Sequence, residues 1–254
     1  MNTSICNERG FLLNTHSGDS TVLIIVPAFN EEEAIENTIN KLQKLRTTHS
    51  SVDICVINDG SRDRTAEIVR SHPDIILLDL INNLGIGGAV QTGFRYAHEF
   101  GYDVAVQFDA DGQHNEEDLA SIVRPVLAGD CDMCIGSRFV EKTAYEGSLA
   151  RRFGIYYFQY LIFLLTGQKF TDATSGYRAM NKKVIALFAY DYPRDYPEPE
   201  VIIYLRRKKM VIIEKTVNMH ARQGGVSSIT PIKSLYYMFK VTLSIIMQKL
   251  IKEN

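Results

Sequence analysis

Apolar and polar residues follow one another along the chain in blocks that have the lengths of strands and helices. The run from Thr21 to Phe29 (TVLIIVPAF) is continuously apolar and rich in β-branched residues, which is typical of a strand buried on both faces. Asn30 and three glutamates follow, and they suit a helix start because an amide caps free N–H groups and acids complement the helix dipole. The predicted helix reaches about residue 45, with an apolar face of Ile35, Ile39, Leu42 and Leu45.

The same order of strand and helix continues to about residue 136. Further strands are predicted at 52–57, 74–80, 104–108 and 132–136, with helices between them, one of which follows a glycine-rich turn at 85–88. Strands that alternate with helices through short connections predict an open parallel α/β sheet with right-handed crossovers. Ligands of such sheets bind beyond the carboxyl ends of the strands.

After residue 138 strands and helices no longer alternate regularly. The sequence predicts a polar loop at 141–148, an aromatic apolar helix at 155–165 (IYYFQYLIFLL), a turn and short strand at 171–180, a helix at 200–209, a strand at 210–217 and an amphipathic helix at 231–252. We therefore expect a flexible tail at 1–20, one domain at 21–230, and a C-terminal helix at 231–254 that contacts a membrane surface, a partner or a second copy of the chain.

Composition narrows the class of protein. The chain has 254 residues, of which 45% are hydrophobic and 23% charged, as in an ordinary globular protein. A net charge of −2 gives no general attraction to nucleic acid. Four cysteines are too few for a secreted disulfide framework, and no apolar run reaches the roughly 18 residues of a membrane-spanning helix. We expect a cytoplasmic protein.

The polar residues at the strand ends carry the candidate chemistry. Asp109 and Asp111 follow the fourth strand, and residues i and i+2 of a strand face the same side. Two carboxylates suit Mg²⁺ or Mn²⁺ bound to a substrate phosphate, although an Asp-x-Asp alone is a weak signal. Asn30 and Asp59 also follow predicted strands, which favours one site at this edge of the sheet.

Seven short motifs occur in one order between residues 21 and 230. They are Pro27-Ala28-Phe29-Asn30-Glu31, Asn58-Asp59-Gly60-Ser61, Asn83-Leu84-Gly85, Asp109-Ala110-Asp111-Gly112-Gln113, Gly136-Ser137-Arg138, Thr174-Ser175-Gly176-Tyr177-Arg178 and Arg222-x-x-Gly225. Together they resemble the signatures of family 2 glycosyltransferases with a GT-A fold, and the last three resemble the polyprenyl-phosphate and dolichyl-phosphate branch of that family.

The resemblance implies a single Rossmann-like, mostly parallel sheet flanked by helices, and an inverting transferase. It implies a nucleotide-sugar site formed by Pro27, Phe29, Glu31, Asp59, Asp109 and Ala110. It also implies that Asp109, Asp111 and Gln113 hold Mg²⁺ or Mn²⁺ on the donor diphosphate, and that Arg222 closes over the same phosphates. A cation there would neutralise the charge that grows on the leaving diphosphate.

The acceptor decides which further residues take part. A lipid phosphate is already a nucleophile near neutral pH. Arg138, Arg151 and Arg152 suit the binding of its phosphate, and the aromatic helix beside them suits its lipid chain. A sugar hydroxyl needs a base, for which Glu200 is the candidate; Asp172 and Glu198 are further acidic candidates, and acids of this kind, Glu200 included, are more often structural caps. The aromatic helix itself fits the protein core as well as a lipid.

We therefore predict a cation-dependent inverting glycosyltransferase, peripheral at the inner face of the cell membrane. It would transfer a hexose from a nucleoside-diphosphate sugar to a polyprenyl phosphate or, alternatively, to a hydroxyl of a lipid-linked glycan. Many bacterial relatives of this kind have membrane-spanning helices after the catalytic domain, and this sequence does not. A nucleotidyltransferase and a non-catalytic sugar-nucleotide-binding protein are the remaining alternatives.

Overall fold

The computed structural model describes residues 20–46, 52–110, 112, 114–140, 149–193, 197–218, 240 and 242–243, without the side chains of residues 46, 149–153 and 155. The strands are β1 (Val22–Ala28), β2 (Val52–Asn58), β3 (Ile76–Asp79), β4 (Val104–Gln107), β5 (Met133–Ser137), β6 (Arg178–Asn181) and β7 (Ile212–Thr216). The helices are α1 (Ile35–Arg46), α2 (Thr65–Arg70), α3 (Gly85–Glu99), α4 (Leu119–Leu127), α5 (Leu149–Thr166), α6 (Lys182–Tyr190) and α7 (Pro197–Arg207), with a 3₁₀ turn at Glu116–Asp118.

These strands form one sheet in the order β3-β2-β1-β4-β6-β5-β7. β1 pairs in parallel with β2 and β4, β2 with β3, and β5 with β7. β6 is antiparallel to both of its neighbours, β4 and β5. The carboxyl ends of β1 to β4 therefore lie at one edge of the sheet, and the amino end of β6 reaches the same edge.

The sheet separates two apolar layers. Leu23 and Ile25 of β1 face a cluster formed with α3, α5, α6 and α7, whereas Val22, Ile24 and Val26 face a cluster formed with α1 and α4. Alternate residues of one strand thus serve opposite faces, and all seven residues of β1 are buried. This explains why the sequence of β1 is continuously apolar instead of alternating.

The prediction of a mostly parallel sheet flanked by helices is confirmed. Three details differ. α1 begins at Ile35, five residues after the predicted start at Asn30. α7 begins at Pro197, where proline suits the first helical turn, and not at Glu200. α6 was not predicted, because it follows β6 without a loop; Asn181 caps it by accepting the N–H groups of Lys183 and Val184, each at 3.0 Å.

The predicted tail at 1–20 and the C-terminal helix at 231–254 fall almost wholly outside the described residues, so that division of the chain stays a prediction. The described part of the chain contains no helix that is long and apolar enough to cross a membrane.

Candidate functional site

Hydrogen bonds join the loops that follow β1 and β2. Asn30 has a left-handed backbone (φ 54°); its N–H donates to Ser61 Oγ at 2.9 Å, and its Oδ1 accepts the N–H of Arg62 at 2.9 Å. The N–H of Glu31 donates to Thr65 Oγ1 at 2.9 Å. The two loops therefore form one rigid wall at the carboxyl edge of the sheet.

Two adjoining cavities lie against this wall. The larger, of about 450 Å³, is lined by residues that include Phe29, Asn58, Arg62, Asp79 and Asn83. The smaller, of about 150 Å³, is lined by Asn30, Glu31, Glu32, Glu33 and Asp63. Phe29 and Glu31, both predicted nucleotide-sugar residues, thus line open space. The larger cavity offers an exposed aromatic ring together with amides, a carboxylate and a guanidinium, which suits a polar heterocycle.

Pro27 and Asp59, the other predicted residues of this pocket, are buried. Asp59 Oδ1 accepts the N–H of Leu84 at 2.7 Å and so ties the end of β2 to the start of α3. Burial raises the pKa of Asp59, while the N–H groups of Leu84 and Gly85 oppose that rise. In this structure Asp59 supports the pocket through this hydrogen bond, and its predicted contact with the base of a nucleotide stays a prediction.

Asp109 lies just past the carboxyl end of β4, beside β1. Its side chain is 37% exposed, and one carboxylate oxygen, Oδ2, lies 3.0 Å from Nε2 of His114. Burial opposes its ionisation, but His114, then Gln107 and Arg138, favour the charged form, and the pKa of Asp109 lies below its ordinary value. Asp109 is therefore a carboxylate that faces open space from a fixed position.

Gly176, just before β6, lies against this carboxylate. A Cβ atom at Gly176 would come within 2.8 Å of Oδ2 and 3.0 Å of Oδ1 of Asp109. Gly176 belongs to one of the motifs found in the sequence, whereas no role was predicted for His114. No local pattern could have found these contacts, because the antiparallel pairing of β6 with β4 brings Gly176 to Asp109.

We expect Gly176→Ala to lower turnover at least about tenfold with little change in thermal stability, since even a displacement of about 1 Å in a reactive group has large effects on rate. The added methyl would push the Asp109 carboxylate away. Steady-state kinetics and a melting curve test this. Gly154→Ala in α5 is the matched control, because the described part of the structure places no contact within 4 Å of that added Cβ; equal activity of the two variants would contradict the prediction.

The predicted acceptor residue Arg138 follows β5 and is only 4% exposed. Its Nε and Nη2 donate to Oδ2 and Oδ1 of Asp172 at 2.6 and 2.7 Å. Glu214 of β7 in turn accepts the N–H groups of Asp172 and Thr171 at 2.8 and 2.7 Å. Asp172 is therefore a structural partner of Arg138, which removes it from the candidate bases, and binding of an acceptor phosphate by Arg138 stays a prediction.

Two glutamates lie in the first turn of α7. Glu200, the predicted base, is buried and 7% exposed. Burial raises the pKa of Glu198 to about 7, although Arg178 acts in the opposite direction; the charges of Asp109 and Glu200 also contribute to the rise. Glu198 therefore has the pKa expected of a general base near neutral pH, which makes it a better candidate than Glu200 for a reaction that needs one.

This shift predicts a pH-dependent gain of stability in Glu198→Gln. Between the ordinary pKa of 4.5 and about 7, the folded protein holds a proton that the unfolded chain has lost, so the free energy of unfolding falls as the pH rises. Glutamine does not titrate, so the variant does not lose this part of its free energy of unfolding as the pH rises. We expect similar melting temperatures at pH 5 and a higher one for the variant at pH 8, by roughly a few degrees. A constant difference across this range would contradict the prediction.

Several predicted site residues are not described. Asp111, Gln113 and Arg222 lie outside the described residues, and Arg151 and Arg152 are placed in the first turn of α5 without their side chains. Ala110 is buried, and its carbonyl accepts the Thr38 hydroxyl at 2.9 Å. The described residues contain no group of three or more His, Cys, Asp or Glu side chains that would hold a metal ion.

The chain is similar to known proteins. The model of a family described as glycosyl transferase family 2 matches residues 23–188. The chain is 31% identical, over 77% of its length and 84% of the relative's, to UDP-N-acetylglucosamine–dolichyl-phosphate N-acetylglucosaminyltransferase of Methanococcus voltae. It is 30% identical, over 86% of its length and 84% of the relative's, to polyprenol monophosphomannose synthase of Mycolicibacterium smegmatis.

A solved structure shows the same fold at low sequence identity. Glucosyl-3-phosphoglycerate synthase of Mycobacterium tuberculosis, solved with Mn²⁺, uridine diphosphate and phosphoglyceric acid, superposes with a TM-score of 0.68 at 16% identity. The match covers 92% of this chain and 80% of that one.

Proposed function

The chain belongs to glycosyl transferase family 2, and from that premise we propose that it transfers a hexose from a nucleoside-diphosphate sugar to a polyprenyl phosphate. The observation that carries the proposal is the arrangement at one sheet edge: the cavities after β1 and β2, the Asp109 carboxylate after β4, and Arg138 after β5. Two relatives are named for transfer to dolichyl phosphate and for synthesis of polyprenol monophosphomannose. As a glycosyltransferase, the chain is neither the nucleotidyltransferase nor the non-catalytic binding protein considered above.

We assign a divalent cation, Mg²⁺ or Mn²⁺, to Asp109, with Asp111 and Gln113 as further ligands. The donor set fits such an ion, because Mg²⁺ takes only one or two protein carboxylates and fills its other positions with water and phosphate. When bound, the cation supplies positive charge that stabilises the leaving diphosphate.

The side chains of the protein bind and orient the two substrates. Phe29 and the polar residues around it hold the nucleoside, while the carboxylate of Asp109 lies between that pocket and Arg138. In the inverting reaction a phosphate oxygen of the acceptor attacks the anomeric carbon from the face opposite the diphosphate, and the bond to the diphosphate oxygen breaks. Arg151, Arg152 and Arg222 are assigned to the phosphates, where guanidinium groups pair with two oxygens at once.

A face of α5 fits a lipid acceptor. Tyr156, Tyr160, Phe163 and Leu164 recur at helical spacing and are exposed, and the sequence of α5 contains two arginines and no acid. A helix with a basic end and an aromatic apolar face suits the interface of an anionic membrane. We place this face on the inner leaflet of the cell membrane, together with the predicted C-terminal helix, of which Thr242 lies 2.8 Å from the Tyr157 hydroxyl.

The proposal is tested by transfer of label from a panel of radiolabelled nucleotide sugars to undecaprenyl phosphate, in the presence of Mg²⁺ or Mn²⁺. We expect label in the organic phase from one donor, and none when the cation is chelated. No transfer from any donor, with donor hydrolysis intact, would contradict a phosphate acceptor.

A hydroxyl acceptor on a lipid-linked glycan is the second candidate. The observation in its favour is Glu198, whose raised pKa suits removal of a hydroxyl proton. The two candidates differ in their response to Glu198→Gln: transfer to a hydroxyl loses its base, whereas transfer to a phosphate does not need one.

A further inference from the structure

His114 is buried against two aromatic rings. It is 1% exposed, and its ring centroid lies 5.2 Å from that of Phe108 and 4.7 Å from that of Tyr177, while those two rings lie 5.3 Å from each other. Tyr177 is itself fixed, because its hydroxyl donates to the carbonyl of Asn115 at 3.3 Å and its side chain is fully buried. The imidazole is therefore held in one orientation by the hydrophobic layer beneath the site.

Only one ring nitrogen of His114 has a hydrogen-bond partner among the described residues. Nε2 meets Oδ2 of Asp109 at 3.0 Å, whereas the buried Nδ1 has none. Since an ionised carboxylate can only accept hydrogen bonds, Nε2 carries the proton and donates it. On the other side, the carboxylate lies against Gly176, in the space that a side chain at this position would need.

Phe108, beside Asp109, is anchored through its N–H to the carbonyl of Ile25 at 2.9 Å. The hydrogen bond then joins Asp109 to His114, five residues later in the sequence. Asp111 and Gln113 fall between them in the sequence, and Gly112 adopts the left-handed backbone (φ 73°) that a tight turn needs.

We propose that His114 is a positioning residue which fixes the Asp109 carboxylate in place before the cation and the donor arrive. This inference rests on the proposed function, since it assigns the cation to Asp109. His114 acts through Asp109 and touches neither substrate, so its loss weakens cation binding without removing a ligand. Partners of this kind change metal affinity by roughly 10- to 100-fold.

The test is binding of Mn²⁺, followed by the paramagnetic resonance signal of the free ion, with uridine or guanosine diphosphate present. We expect His114→Phe, which keeps an aromatic ring against Phe108 and Tyr177, to raise the dissociation constant of Mn²⁺ by about 10- to 100-fold. His114→Gln, whose amide N–H reaches the place of Nε2, restores most of the affinity. His114→Asn, whose amide is too short, does not. In kinetics, kcat falls in His114→Phe while the KM of the acceptor stays unchanged.

His72→Phe is the matched control, because His72 also faces a carboxylate, with Nε2 3.7 Å from Oε1 of Glu36, but belongs to the turn after α2. It should bind Mn²⁺ like the native protein. Native affinity in His114→Phe, or equal affinities of the Gln and Asn variants, overturns the role of His114. Failure of the native protein to bind Mn²⁺, or native affinity in Asp109→Asn, overturns the cation assignment of the proposed function as well, so the two failures are distinguishable.

Discussion

Asp109→Asn is expected to lower transfer by roughly 10²–10³-fold, the loss typical when one group that stabilises transition-state charge is removed. The amide has nearly the same shape but no charge, so it binds a divalent cation far less tightly than a carboxylate. Its carbonyl oxygen still accepts the hydrogen bond from His114, which lies 3.0 Å away in the native protein. Radiolabel transfer gives the rate, and a melting curve is expected to stay within a few degrees of the native one.

Asp103→Asn is the matched control, because Asp103 precedes β4 whereas Asp109 follows it. Asp103 accepts the N–H of Thr21 at 3.0 Å and pairs with Lys182 at 3.4 Å, at the edge of the sheet away from the site. Its replacement should cost some stability and leave turnover unchanged. Transfer at the native rate by Asp109→Asn would show that the carboxylate does not hold the cation.

The first half of the fold follows from local sequence. The runs VLIIVPA and VDICVIN satisfy their backbone groups and bury nearly all of their side chains as central strands, and they are observed as β1 and β2. The polar residues that end them, Asn30 and Asp59, were predicted to meet at one edge because parallel strands place their carboxyl ends together. The structure agrees, since the N–H of Asp59 donates to the carbonyl of Ala28 at 2.9 Å.

The second half depends on contacts between residues that are distant in the sequence. β6 enters the sheet between β4 and β5 in the antiparallel direction, and its register places Arg178 opposite Gln107. Nothing in the short segment Arg178–Asn181 indicates that register. Neither the close approach of Gly176 to Asp109 nor the contact between the rings of Tyr177 and His114 could therefore be predicted. The same holds for Asp172, whose sequence neighbours give no sign that its partner is Arg138.

Asp172→Ala is expected to destabilise the protein by about 3–5 kcal/mol, because it removes one member of a buried ion pair and leaves the guanidinium of Arg138 without its carboxylate. Both side chains are at least 96% buried from solvent, with exposures of 4% and 0%. For a domain of this size the loss corresponds to a fall in melting temperature of roughly 10 °C. Lys182→Ala is the control, since its pair with Asp103 is 63% and 42% exposed and contributes under about 1 kcal/mol.

The double variant Arg138→Met with Asp172→Leu separates the structural role of Arg138 from its predicted role at the acceptor. Replacing both members of a buried pair by apolar side chains of similar volume is often neutral for stability, so the melting temperature should return close to the native value. If Arg138 also binds the acceptor phosphate, the double variant remains slow, with a raised KM for undecaprenyl phosphate and an unchanged KM for the donor. Full recovery of transfer together with stability would limit Arg138 to holding the turn at Thr171 and Asp172 in place.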